Sequence, residues 1–322
     1  MKIKNPIAHP LLLLISLVSF PVKADEKNPN ALAVSRDPMP KPSTIELGEE
    51  WMHGINGKLL LSELSIPGTH DSCALHNGFS FGYAKCQSWQ LDSQLKAGVR
   101  YLDIRCRHQS DRFQIYHGII DQKIAFSRVV EICLSFLVDH PSECLILSIK
   151  EESSPEATTR TFKETFEEEI ESSKNKWLIS PETPTLHQSR GRLILVDRVG
   201  NLGGLAWGEM NLQDDYQALP EVKKIKIKQH FDTISGRPKK DWFLNYCSGT
   251  VPRQLINPAT YAAIINPFVL NQVQRRAGNR LGVVVMDFPG DSLVRKIIES
   301  NFSKRTELEV DDSAGKDVTT VP

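Results

Sequence analysis

Leu281-Gly282-Val283-Val284-Val285-Met286-Asp287 sets an unbroken apolar run between a glycine and an aspartate, and Leu145-Ile146-Leu147 repeats the pattern ahead of Lys150. Neither run alternates apolar with polar residues, so each is expected to be a strand buried on both faces, as in a parallel sheet. Working outward, further strands are expected over 60–66, 99–105, 114–117, 193–198 and 243–246, with the two quoted runs occupying 144–150 and 281–287. Amphipathic stretches separate them. Phe126, Val129, Val130, Cys133 and Leu137 share one helical face; Phe162, Phe166 and Ile170 recur every four residues; Leu293, Ile297 and Ile298 repeat the arrangement. Asn257-Pro258 opens another helix, with an interruption or kink expected at Pro267. Strands alternating with helices predict an α/β fold, a single irregular TIM-type (β/α) barrel over 51–302, with an open doubly wound sheet as the alternative.

The ends of the chain read differently. Lys2 and Lys4, the apolar run 11–20 and Val22-Lys23-Ala24 have the order of a signal peptide over 1–24, cleaved near Ala24. Its apolar part is short for a membrane span, which leaves an uncleaved anchor as the lesser alternative. A secreted or periplasmic protein is the expectation. Residues 25–50 form a polar, proline-rich extended leader, and 303–322 a polar tail expected to be disordered. Acidic and basic residues balance at 39 each, so no global field favours nucleic acid. Export makes Cys73, Cys86, Cys106, Cys133, Cys144 and Cys247 disulfide candidates, and one or two bridges at most are expected.

One regularity separates function from packing. Read forward, the strands end in polar groups: His70 and Asp71, Asp103 and Arg105, His117, Lys150, Arg198, Asn245, Asp287. In a parallel α/β fold those ends gather on one rim, where active sites occur. Each group has a bland explanation of its own. His70 suits a strand end, Asp103 and Arg105 could pair structurally, and Asp287 could cap the helix beginning near Gly290. Their joint occurrence favours chemistry. Cleaving a phosphodiester needs a base, an acid and positive charge on the phosphoryl oxygens, which two histidines and an arginine supply.

The block Leu64-Ser65-Ile66-Pro67-Gly68-Thr69-His70-Asp71-Ser72 resembles the start of the catalytic X domain of phosphatidylinositol-specific phospholipases C, especially the bacterial branch. LDSQLKAGVRYLDIR (91–105) and Ile115-Tyr116-His117-Gly118 resemble its second block, and FLVDHPSECLILSIKEE (136–152) the helix and strand that follow. LILVDR, LQDDY and LGVVVMDF, which end at Arg198, at Tyr216 and at Phe288, match more loosely. The resemblance implies that His70 is the general base on the inositol 2-hydroxyl and His117 the general acid on the diacylglycerol oxygen. It implies Asp287 behind His70, Asp71 behind His117, and Arg105 on the phosphate with Asp103 holding it. Lys150, Arg198, Asp214 and Tyr216 are similar in position to the inositol-binding set. The product implied is inositol 1,2-cyclic phosphate, hydrolysed more slowly to the open phosphate.

In the animal branch carboxylates at the second strand end help to hold calcium; here Arg105 sits where such a carboxylate would be needed, and the resemblance implies a calcium-independent enzyme with no cofactor and no metal. Phe79, Phe81 and Tyr83, followed by Trp89, lie after the first strand on the chemical rim and are expected to touch membranes containing phosphatidylinositol, with covering of the barrel mouth as the alternative. No obligatory protein partner is implied. The rivals are a glycerophosphodiester phosphodiesterase, expected to need metal, and a non-catalytic X-domain protein that binds inositol lipid. A triad hydrolase is set aside on the expectation that no nucleophile elbow is present.

Overall fold

The computed structural model describes residues 48–302; the expected signal peptide over 1–24, all but the last residues of the expected leader, and the expected tail lie outside the described residues. In chain order the elements are β1 (Ile66–Thr69), α1 (Leu91–Ala97), β2 (Tyr101–Gln109), β3 (Arg112–His117), β4 (Ile120–Ala125), α2 (Phe126–Asp139) and β5 (Leu145–Glu156). There follow α3 (Phe162–Ile170), β6 (Trp177–Leu178), α4 (Leu186–Ser189), β7 (Leu193–Asp197), β8 (Leu205–Ala206), β9 (Asn211–Gln213), α5 (Pro220–Asp232), β10 (Phe243–Tyr246), α6 (Pro258–Arg275), β11 (Val283–Met286) and α7 (Asp291–Glu299). The sheet runs β6-β7-β5-β2-β1-β11-β10-β9, every neighbour along that path being parallel. It is an irregular α/β barrel, and no ladder joins β6 to β9.

Burial explains the sequence patterns. Every residue of β1, β7, β10 and β11 is buried. The named faces of α2, α3 and α7 point into the core. Gly68 is required where β1 lies against β2, since a Cβ there would stand 3.0 Å from the Tyr101 side chain.

Four expectations need correction. The strand expected over 60–66 begins only at Ile66, because Leu61–Glu63 turns as a 3-10 helix that still buries Leu61. Pro267 does not interrupt α6, which runs unbroken from Pro258 to Arg275. The leader ends inside the fold: Gly48 and Glu49 offer their carbonyls to Arg100. All six cysteines are buried free thiols, so no bridge forms; small core positions rather than covalent staples account for them. Several elements were not anticipated, among them β4, the short strands β6, β8 and β9, and helix α5. β3 and β4 form an antiparallel hairpin off β2. Helix α5 escaped notice because its inward positions are Lys223, Ile227 and Phe231, a lysine holding the first place of the apolar stripe.

Candidate active site

Parallel pairing brings the strand ends together. β1 lies between β2 and β11, so His70, just past β1, faces Arg105 on one side and Asp287 on the other. On β2, Asp103 and Arg105 are two apart and point the same way. The hairpin returns His117 from the end of β3 to the same place. Lys150 lies opposite Arg105 in the β2–β5 register, and Arg198 follows the end of β7.

The two histidines have opposite surroundings. His70 Nδ1 is 2.8 Å from Asp287 Oδ1, and its Nε2 is 2.6 Å from Arg105 Nη2. A guanidinium carries only donors, so Nε2 accepts and Nδ1 carries the proton that goes to Asp287. That is a neutral imidazole with a lone pair aimed into the site. His117 Nδ1 lies 2.9 Å from Asp71 Oδ2, a contact of ion-pair distance in which neither Asp71 oxygen is in a well-directed hydrogen bond. Burial alone would lower the His117 pKa, but the Asp71 carboxylate outweighs it and holds the pKa above the ordinary value. Burial would likewise push Asp71 upward, and Arg105 with His117 more than reverses this. The site thus sets a neutral histidine opposite one biased toward imidazolium.

Arg105 joins them. Its Nε and Nη2 donate to Asp103 Oδ2 at 3.2 and 2.9 Å, while Nη1 reaches Asp71 and Glu152 only at 3.6 and 3.7 Å. Those last distances exceed a hydrogen bond, so Nη1 retains donors for an incoming anion. Asp103 Oδ1 accepts from Arg198 Nη1 at 2.8 Å, and the two arginines hold its pKa well down against the burial that would raise it. Lys150 Nζ is 2.6 Å from Glu152 Oε2. Arg198 lies over the Trp207 ring, 4.5 Å from its centre. Asp214 and Tyr216 stand exposed past the end of β9 on this rim, and neither is bonded to the histidine set among the described residues.

Several contributors went unread in the sequence. Glu152 links Arg105, Lys150 and the Gly118 amide, and its place two residues beyond Lys150 on one strand was the available signal. Asp197 accepts four amides, from Val199, Gly200, Leu202 and Gly203, and so shapes the turn that begins with Arg198. Gln87 donates to the carbonyls of His70 and Met286 at 2.7 and 3.0 Å. Cys86 Sγ is 3.6 Å from His117 Nδ1. Gln87 and Cys86 come from an irregular loop, where no periodicity marks them.

The loops around the mouth present apolar tips. Phe79 and Phe81 are 72% and 93% exposed, whereas Tyr83 is half-buried and Trp89 is buried, which corrects the expectation of one uniform aromatic surface. Ile119 and Leu255, 73% and 84% exposed, were not anticipated. Three loops adjoin here: a Cβ on Gly78 would meet Ile120 at 3.0 Å, and one on Gly82 would meet Asn257 at 2.7 Å. Phe81 and Leu255 also hold φ of +52° and +56°, a strained region for bulky side chains. Gly78-Phe79-Ser80-Phe81-Gly82 spells Gly-x-Ser-x-Gly, contrary to the expectation that no such run exists. It lies in a turn-rich loop and not on a strand-to-helix elbow, and Ser80 Oγ accepts from the Ala84 amide at 2.8 Å.

Residues 61–199 match the family model described as phosphatidylinositol-specific phospholipase C, X domain. The 1-phosphatidylinositol phosphodiesterase of Listeria monocytogenes is 31% identical over 280 residues, covering 79% of this chain and 85% of that one. The enzyme of the same description from Staphylococcus aureus strain Newman is 26% identical over 293 residues, covering 79% and 94%. The solved structure of phosphatidylinositol-specific phospholipase C from Listeria monocytogenes superposes with a TM-score of 0.70 at 28% identity, covering 79% of this chain and 98% of that one.

Proposed function

Because this chain belongs to the phosphatidylinositol-specific phospholipase C family, X domain, we propose that it cleaves phosphatidylinositol into diacylglycerol and inositol 1,2-cyclic phosphate. One observation carries the proposal: a neutral histidine and a carboxylate-backed histidine flank one arginine whose Nη1 is unspent. His70 Nε2 takes the proton of the inositol 2-hydroxyl as that oxygen attacks phosphorus. His117 Nε2 gives its proton to the glycerol oxygen as the old P–O bond breaks. Arg105 turns its free donors to the phosphoryl oxygens, where negative charge accumulates. Entry of the hydroxyl displaces Arg105 Nη2 from His70 Nε2 and takes its place there. Water then opens the cyclic ester more slowly, with the histidines exchanging roles.

Arg198 stacked on Trp207, Lys150, Asp214 and Tyr216 line the rim as the inositol subsite, each polar group being suited to a ring hydroxyl. The reaction needs no calcium in this reading. Asp71, Asp103 and Glu152, the carboxylates nearest the phosphate position, are all engaged with the Arg105 cation, whose pKa they raise against the lowering effect of burial. Phe79, Phe81, Ile119 and Leu255 enter the headgroup layer and bring the mouth to the lipid. With the segment 1–24 directing export, the substrate is met outside the cytoplasm.

The test is incubation with phosphatidylinositol vesicles in excess chelator, followed by phosphorus NMR, beside His70→Ala. A cyclic inositol phosphate signal, lost in the variant, is expected. Turnover only on adding calcium would overturn the metal-free step, and no turnover under either condition would overturn the assignment.

A further inference from the structure

The loop thiol that touches His117 has no part in this chemistry, yet it stands where a ligand atom would. We propose that Cys86, Asp71 and His117 bind one thiophilic divalent cation of the Zn2+ class, and that its binding switches catalysis off. One donor atom from each of the three residues lies within 4.8 Å of the other two. Cys86 Sγ and His117 Nδ1 are 3.6 Å apart, and Nδ1 and Asp71 Oδ2 are 2.9 Å apart. Zinc bonds of about 2.3 Å to sulfur and about 2.0–2.1 Å to nitrogen, at a tetrahedral angle, set those two atoms roughly 3.5–3.6 Å apart. Asp71 is fully buried and faces His117 at 2.9 Å and Arg105 at 3.6 Å, yet neither of its side-chain oxygens is in a well-directed hydrogen bond, so a lone pair remains for a cation shared with His117.

The thiol is held in place. The Cys86 amide donates to the Ala74 carbonyl at 2.9 Å, and its carbonyl accepts from Phe288 at 3.0 Å. The same sulfur also groups with His70 and Asp287, so losing it removes both arrangements. On binding, the thiol proton passes to solvent and the cation takes Nδ1, confining the imidazole's remaining proton to Nε2. An imidazole so bound no longer moves between its acid and base forms, and the leaving oxygen goes unprotonated. Only this inhibitory consequence rests on the proposed acid role of His117; the binding itself does not.

Co2+ serves as the visible probe, titrated into the full-length protein, Cys86→Ser and Cys86→Ala. Zn2+ inhibition is followed in parallel, each variant scaled to its own rate in chelator. Wild type should bind one equivalent with a near-ultraviolet thiolate-to-cobalt band that Zn2+ displaces, and Zn2+ should stop turnover over the same range. Both effects should weaken by about tenfold to a hundredfold or more in the variants. Absence of the thiolate band in wild type would overturn the site. So would Zn2+ inhibition unchanged in both variants. A band without inhibition would keep the site but overturn the switch, and would count against His117 as the acid.

Discussion

Two arginines five residues apart, Arg100 just before β2 and Arg105 halfway along it, lead opposite lives. Arg100, at the floor of the barrel, donates to Glu143 Oε2 and to the carbonyls of Leu95, Val99, Gly48 and Glu49, one acceptor for each of its N–H groups. Glu143 in turn accepts from the Met52 amide and Ser142. Arg105, at the rim, leaves Nη1 short of any hydrogen bond, and around it Asp71, Asp287 Oδ2 and Gln87 Oε1 are buried with open hydrogen-bonding capacity. Burial lowers the pKa of Arg100 even beside Glu143, whereas the carboxylates around Arg105 overcome the same burial. A charge with every partner present holds a fold together; a charge with partners missing waits for a substrate.

The difference can be broken from either end. Arg100→Ala, which strands Glu143 at the floor, should cost about 3–5 kcal/mol of stability in a urea titration, while the surviving folded enzyme keeps its kcat. The double change Arg100→Met with Glu143→Leu should recover most of that loss, and failure to do so would mean that the pair contributes more than satisfied burial. Arg105→Ala should lower kcat about 10²–10³-fold, a loss that Arg100→Ala does not share, and it also costs stability because Asp71 and Asp103 are left buried. An unchanged kcat in the folded Arg105→Ala enzyme would make the rim cluster structural after all.

A smaller effect separates the histidines. In the proposed role of general acid His117 acts while protonated, so activity is expected below its pKa and lost as pH rises through it. With that pKa raised beside Asp71, the alkaline limb of kcat should lie above the ordinary imidazole value of about 6.5. Asp71→Asn should lower kcat and move the limb to lower pH; an unmoved limb would assign it to another group. The pair's stabilisation follows the same signs. It is lost as pH rises through the raised His117 value, or falls through the depressed Asp71 value. Smallest of all, Phe81→Gly should weaken vesicle binding yet raise stability by roughly 0.5–1 kcal/mol, since a left-handed phenylalanine stores strain that glycine releases. Destabilisation would show that the ring packs inward.

The sequence disclosed the rim more fully than the loops. His70, Asp71, Asp103, Arg105, Lys150, Arg198 and Asp287 could be located because parallel strands carry their ends to one edge, so chain position translates into place. His117 was read as one more strand end, although it reaches the rim on an antiparallel hairpin that obeys no such rule. Cys86, Gln87, Ile119 and Leu255 lie on turns whose placement depends on neighbouring loops. Lys223 was unreadable for another reason: it is buried at a position an apolar residue would normally take, its Nζ donating to the Asp215 carbonyl at 3.2 Å. The absent disulfides follow from the same limit, because spacing says nothing about whether a thiol fills a core or reaches another.

The missing ladder between β6 and β9 leaves the sheet with two raw edges, and an edge is a template on which another chain can add itself. Here those edges are two and three residues long, too short to recruit a strand from a neighbour. The longer outer strand, β4, carries Asp121 and Lys123, with Lys123 at a φ of +62° and a register shift in its pairing with β3. A bent, charged border of that kind resists stacking. The barrel therefore remains open at its seam without offering a neighbour a long edge to pair with, a property that would suit the proposed work at a crowded lipid surface.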